Sequence, residues 1–422
     1  MSEKKYLQNF RSLASNGWPD RIHQMRKSAL RALTSLELPN THQEEWRFTN
    51  LAPMKTIEFR PIAEASKQSG ADVPSAGANS IIFVNGRFSP KLSVLSKDVE
   101  AGSLKERKGF ENYFGKLTPS DSDLFAAWNT AFFEDVAFIR IPDNSIQQEP
   151  IHLLFSNTGE TDTASFPRAL VILGKQSQAS LIESYVSNSQ ERYFSGAVTE
   201  IFLQEGAVLQ HIKLQHDSDR SFHIASTQVH QERDSSYSSM TLTLGAGLSR
   251  ENLGVILDGI GSDCSLNGLY LVGANQHTDH HTTIDHAKPH GTSRELYKGI
   301  LDTGARAVFN GKIIVRKDAQ KTDAEQTNKN LLLSEGARVN STPQLEILAD
   351  DVKCRHGATI GHLDEEAMFY LRSRGLAESL ARTLLLRGFL QDVTARVSSE
   401  KIRGALNQLL DSRLQQFTGV VV

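Results

Sequence analysis

Thr303-Gly304-Ala305 and Glu335-Gly336-Ala337 repeat the form of Glu205-Gly206-Ala207: a polar residue, a glycine and an alanine that lead into a strand-like run. With Gly174 and Gly273, these glycines recur at intervals of roughly 32 residues, with one interval about twice that. A regular turn followed by strands suits a solenoid, in which each coil buries its inward residues on its neighbours. A sandwich or barrel would also alternate, but needs no near-constant period. The intervening segments read as strands: Phe138-Ile139-Arg140-Ile141, Ile151-His152-Leu153-Leu154-Phe155, Ala169-Leu170-Val171-Ile172-Leu173, Met240-Thr241-Leu242-Thr243-Leu244 and Leu345-Glu346-Ile347-Leu348-Ala349. No convincing long helix interrupts them.

Outward from this core, both flanks change texture. Upstream, Ile81-Ile82-Phe83-Val84 meets Asn85-Gly86, a tight-turn signal that predicts a hairpin. A short helix is expected through Leu124, Ala127, Trp128 and Ala131. Residues 63–80, rich in Ser, Ala and Gly, read as a linker. Helical spacing runs from Leu7 to Leu36, with Pro19 placed where a helix start tolerates it. The aromatic pair of Trp46-Arg47-Phe48 is expected to pack on the main body. Downstream of Asp364 the period returns to 3.6. One helix stops at Gly375, a second carries Leu380, Leu384 and Leu390, and a third is capped by Ser398-Ser399-Glu400. The expected architecture is mainly β. A β-solenoid core over 81–363, with a hairpin and short helix at its start, lies between helical regions at 1–80 and 364–422.

Composition narrows the function. The 422 residues carry a net charge of −3 from nearly balanced signs, so no basic stripe invites nucleic acid. No apolar run reaches the length of a membrane span, and Met1-Ser2-Glu3-Lys4-Lys5 lacks the character of a secretory or transit leader, so a cytoplasmic protein is expected. The 2 cysteines, Cys264 and Cys354, are far apart and build no disulfide framework. Cys264 reads as structural. No G-x-x-x-x-G-K-[ST] loop is present, so ATP hydrolysis would have to come from another chain.

Chemistry concentrates in two places. In Asp351-Val352-Lys353-Cys354-Arg355-His356-Gly357, the thiol and imidazole are two residues apart, and in a strand both face the same way. Two ligands cannot close a tetrahedral metal site or hold an iron-sulfur cluster, so a second surface must complete any such site. The other place is His277-Thr278-Asp279-His280-His281 with Asp285, His286 and His290, enough imidazoles and carboxylates for a metal hydrolase. It lacks HExxH spacing, and turnover by the isolated chain, abolished by His281→Ala, would reveal such a hydrolase or another β-helix enzyme, such as a carbohydrate-active one.

Several segments carry a resemblance: Pro343-Gln344-Leu345-Glu346-Ile347, Ala349-Asp350-Asp351-Val352-Lys353-Cys354, His356-Gly357-Ala358-Thr359 and Phe369-Tyr370-Leu371-Arg372-Ser373-Arg374-Gly375. With Trp46-Arg47-Phe48-Thr49, Lys298-Gly299 and Val308-Phe309-Asn310-Gly311-Lys312, the chain resembles the SufD family of the SUF iron-sulfur cluster assembly system. The paralogous SufB family is similar overall, but Cys354–Gly361 is closer to the SufD form. The resemblance implies a right-handed parallel β-helix that pairs with SufB. It also implies C-terminal helices that bind the SufC ATPase, and Leu384 and Leu390 are the apolar positions expected there. His356 is implied as a ligand of iron or of a nascent, transient cluster shared with SufB, and Cys354 is linked to the same interface. A reduced flavin belongs to the complex and is not assigned to this chain. On this reading the chain is a non-catalytic scaffold subunit; whether it forms a homodimer when alone stays open.

Overall fold

Gly206, at φ 67°, turns the chain from strand Tyr193–Leu203 of one parallel sheet to strand Val208–His216 of another. In the computed structural model, which describes residues 17–62, 79–96, 99–118, 120–187, 189–273 and 275–419, that corner is built repeatedly. Gln176, Asp234, Gly261, His290 and Lys321 also have positive φ. At these corners the backbone N–H donates to a carbonyl of the following coil, as from Gln176 to Glu205 (2.9 Å), Gly206 to Arg233 (2.9 Å) and His290 to Gln320 (2.9 Å). Glycine enters a left-handed corner without steric cost, whereas the other residues do so against a penalty that the stacked hydrogen bonds offset.

The glycine period therefore reports the solenoid incompletely. Gly174 and Gly206 lie on this corner, whereas Gly273, Gly304 and Gly336 lie on the opposite one, where the chain crosses back to the first sheet. The doubled interval, Gly206 to Gly273, conceals that change of corner, because Asp234 holds the next position of the first corner, where a glycine would have continued the repeat.

Among the described residues the sheets have 11 and 10 strands, and successive strands from Arg168–Leu173 onward go alternately to one and the other. Strand Thr292–Leu301 lies between Asp263–Val272 and Asp323–Leu332, all parallel, with Thr292 opposite Asp323 and Asp323 opposite Lys353, or about 30 residues per coil. The protein is mainly β, a parallel solenoid of about 7 turns with helices at both ends, as expected. The interior is a continuous apolar column from Ile81 and Phe83 through Ile139, Leu181, Leu209, Tyr237 and Leu266 to Phe309. Each such aliphatic side chain contributes about 2 kcal/mol by leaving water.

The Asn85-Gly86 hairpin forms, with φ 53° and 82° at the two turn residues and Phe83 opposite Phe88. Helix α1 (Asp20–Ala32) starts behind Pro19; the stretch Leu7–Asn16, most of the 63–80 linker and Met1–Lys5 lie outside the described residues. Helix α2 is the short Ala52–Lys55, and α3 (Leu124–Phe132) is capped by the Asp123 carboxylate. With Trp46, α1 and α3 cover the outer face of the first sheet through Phe114, Phe125, Phe133, Leu170, Phe194 and Phe222. Arg168 fastens this layer. Its guanidinium reaches Asn129 and Thr130 of α3 and pairs with Glu200 at 2.7 Å, both side chains being fully buried. Glu200 in turn accepts the Gly115 and Leu117 N–H groups.

At the other end, α4 (Glu365–Ser373) is capped by Asp364 and buries none of its residues. Helices α5 (Glu378–Thr394) and α6 (Glu400–Thr418, capped by Ser399) pack on the outer face of the second sheet through Leu386, Leu390, Val393, Leu406 and Leu410 against Ile212, Leu242, Leu269 and Leu271. Leu390, expected at a partner surface, is only 2% exposed and belongs to this core, whereas Leu384 is 37% exposed. The cause is the helical period: the face of α5 that carries Leu390 is spent on the solenoid.

Candidate functional site

The last coil consists of strands Arg338–Ile347 and Lys353–Gly361, and among the described residues each pairs on one side only. The sheets alternate inward and outward side chains, so Cys354, His356, Ala358 and Ile360 face the solenoid axis with no coil above them. Cys354 is half-buried against the interior column and His356 is exposed. The arrangement expected from the spacing is thus present, at the open mouth of the solenoid. Burial pushes the Cys354 thiol above its ordinary value; the Ala324 backbone opposes this and the Asp323 charge adds to it. A thiol held up in this way is not a ready thiolate at neutral pH. His356 is the more accessible of the two donors.

Beneath them the register sets columns. Cys354 stands over Ala324, Ser293 and Cys264, and His356 over Gln326, Glu295 and Leu266. Cys264 is fully buried, and burial drives its thiol well above the usual range, in keeping with a structural role. Gln326 and Glu295 are buried, and Gln326 Nε2 donates to Glu295 Oε2 at 2.6 Å. Burial raises the Glu295 carboxyl to about 7, with the neighbouring Thr282 hydroxyl and the Gln326 amide opposing the rise. Nothing in the linear sequence pointed to this pair. The signal that finds it is the register of about 30 residues between coils, which needs every corner to be counted, including those without glycine.

The histidine-rich strand does not form the metal site that its composition suggests. Strand His277–His286 alternates, so His277, Asp279 and His281 face outward while His280 and His286 face the interior, and His290 is at a corner. The inward rings are packed: His280 lies 5.2 Å from Tyr270 and 5.4 Å from Tyr297, and His286 Nε2 meets Ser293 Oγ at 2.9 Å. Burial lowers both to about 4. The outward groups are engaged by the N-terminal segment. Asp279 pairs with Arg250 (2.8 Å) and His281 (3.0 Å) and accepts from Thr49 Oγ1, which also meets His277 at 2.8 Å. Arg250 stacks on Trp46 at 3.8 Å. Among the described residues, no group of His, Cys, Asp and Glu is gathered for a metal ion. The hydrolase alternative therefore loses its site, and the strand latches the N-terminal segment to the solenoid.

No helix among the described residues is long and apolar enough to cross a membrane. Comparison with known proteins matches residues 155–389 to the SUF system FeS cluster assembly SufBD core domain and residues 1–153 to the SufBD protein N-terminal region. An iron-sulfur cluster assembly SufBD family protein of Synechocystis sp. is 37% identical, over 92% of this chain and 90% of its own length. The iron-sulfur cluster assembly protein SufD of Escherichia coli is 32% identical over 91% of each, and SufB of Bacillus subtilis is 22% identical over 82% of this chain and 75% of its own. With the solenoid, its unpaired last coil and these matches across nearly the whole length, the chain belongs to the SufBD family of iron-sulfur cluster assembly proteins.

Proposed function

We propose that this chain is a non-catalytic scaffold subunit that pairs through its last coil with a SufB-type subunit and, through its C-terminal helices, carries a SufC-type ATPase. His356, with Cys354 beside it, offers ligands to iron or to a nascent cluster built between the two chains, as cargo to be released. The observation that carries this reading is an exposed imidazole on an unpaired terminal strand. Strand edges and the inward residues Ile360 and His356 lie open there, the kind of surface that natural proteins otherwise cover. An incomplete ligand set shared between chains holds iron during assembly and lets the product leave.

For the ATPase, α4 supplies the surface. Phe369 is 74% exposed and Tyr370 57%, on a helix that buries nothing in this chain, and Leu384 follows on α5. Closure of an ATPase pair on these helices would bear on the second sheet, whose last strand carries Cys354 and His356. Flavin, where the complex holds it, is not assigned to residues of this chain.

The test is the anaerobic iron and sulfide content of the chain co-purified with SufB and SufC partners, comparing the native sequence with His356→Ala. Loss of iron and sulfide from an intact complex is the expected result; unchanged content would move the ligands to the partner and leave this chain an architectural subunit.

A further inference from the structure

Gln326 is a fully buried amide whose two ends are treated differently. Its Nε2 donates to Glu295 Oε2 at 2.6 Å, while its Oε1 is buried with no hydrogen-bond partner among the described residues. With Glu295 ionised, its carboxylate can only accept, and Nε2 is the end of the amide that faces it. The side chain is also held in place from the facing sheet: a Cβ at Gly311 would lie 2.2 Å from Gln326 Nε2 and 2.7 Å from Cδ, so the glycine makes room for the amide and walls it in. A buried acceptor left unpaired costs about 1–3 kcal/mol, so such an atom in a packed interior calls for a partner.

The next inward side chain in that column is His356, the register partner of Gln326, about 4.8 Å away along the hydrogen-bonding direction. Residues that bind metal through one imidazole nitrogen are usually oriented by a hydrogen bond from the other ring N–H, which sets the tautomer and the direction of the free lone pair.

We infer that Gln326, anchored by Glu295 and walled by Gly311, is the positioning residue for His356: its Oε1 accepts the inward imidazole N–H and leaves the other ring nitrogen facing out of the solenoid mouth. The site is thus built from three coils, and its orienting half belongs to this chain alone. This inference rests on the reading of His356 as a ligand only for its purpose; the hydrogen bond is not made in this structure, where Gln326 Oε1 is unpartnered and the His356 ring is exposed, and it forms when that ring turns inward, which the isolated chain can report.

The experiment is ¹⁵N NMR of the imidazole nitrogens in the full apo chain labelled at histidine, with His356 assigned through His356→Gln. The native chain is expected to hold one dominant His356 tautomer. Gln326→Met should shift the ratio by roughly fivefold, the worth of one hydrogen bond, and Glu325→Gln on the outward face of the same strand should leave it alone. If Gln326→Met does not fold, the pair Glu295→Leu with Gln326→Met removes both polar partners together and gives the same readout. A His356 tautomer ratio equal in the native and Gln326-substituted chains overturns the inference. The iron content of the complex separates the two readings. A tautomer shift with iron retained in His356→Ala keeps the hydrogen bond and removes the ligand; a tautomer indifferent to Gln326 with iron lost in His356→Ala does the reverse.

Discussion

The first and last coils are parallel strands of the same two sheets, yet one end is sealed and the other is bare. At the first coil, Ile81 and Phe83 face the axis fully buried, strands Arg87–Phe88 and Glu100–Ser103 turn back antiparallel along the sheets, and the Arg168–Glu200 pair binds the helical layer from within. At the last coil, His356 is exposed and Ile360 is 51% exposed. Two coils below, Lys298 of strand Thr292–Leu301 fastens the C-terminal helical layer beside its apolar contacts, its ammonium reaching the Phe389 carbonyl and Asp392 (2.6 Å), an acceptor half open to water. The difference teaches that the chain covers one end of the solenoid itself and leaves open strand edges at the other, and it predicts that stability is concentrated at the covered end.

The comparison breaks if the sealed end is not where stability resides. Arg168→Met leaves the Glu200 carboxylate buried without its cation, and a loss on the order of 3–5 kcal/mol is expected in chemical denaturation. A loss near zero would mean that the N-terminal layer is not welded to the solenoid.

A smaller effect sharpens the contrast between the two interiors, apolar under the first coil and polar under the last. Glu295 holds its proton more tightly folded than unfolded, since its carboxyl is raised from 4.5 to about 7. Its contribution to stability is therefore complete below the unfolded value and is lost as pH rises through about 7, a change of about 3 kcal/mol. Glu295→Gln should flatten the pH profile over that window and be the more stable chain above it. Parallel profiles for the two chains would place the pH dependence elsewhere.

The smallest effect on the isolated chain is expected at the mouth itself. Ile360→Lys should change its stability by less than about 0.5 kcal/mol, as at other exposed positions. A charge there should nevertheless abolish co-purification with a SufB-type partner, because edge lysines are a natural means of blocking strand pairing. Retained pairing would mean that the partner docks on another surface.

Local chemistry was legible where a single residue type decides the backbone or the face. Asn85-Gly86 determined the hairpin because both turn residues need positive φ, and Ser399 marked a helix start because its side chain caps a free N–H group. The glycine spacing of roughly 32 residues pointed to a solenoid although it mixed two corners, and the i, i+2 spacing by itself put Cys354 and His356 on one face of a strand. The tertiary structure alone decided the rest. Which corner each glycine occupied depended on Asp234 and His290 accepting left-handed backbone, which their identity does not announce. Alternation set His277, Asp279 and His281 apart from His280 and His286 only once the strand had a definite inside, and the buried face of α5 claimed Leu390 only once the solenoid was there to receive it. The stack of Glu295, Gln326 and His356 joins residues a full coil apart, and its alignment follows from the lengths of all the corners between them, a sum over the chain that no single stretch of sequence contains.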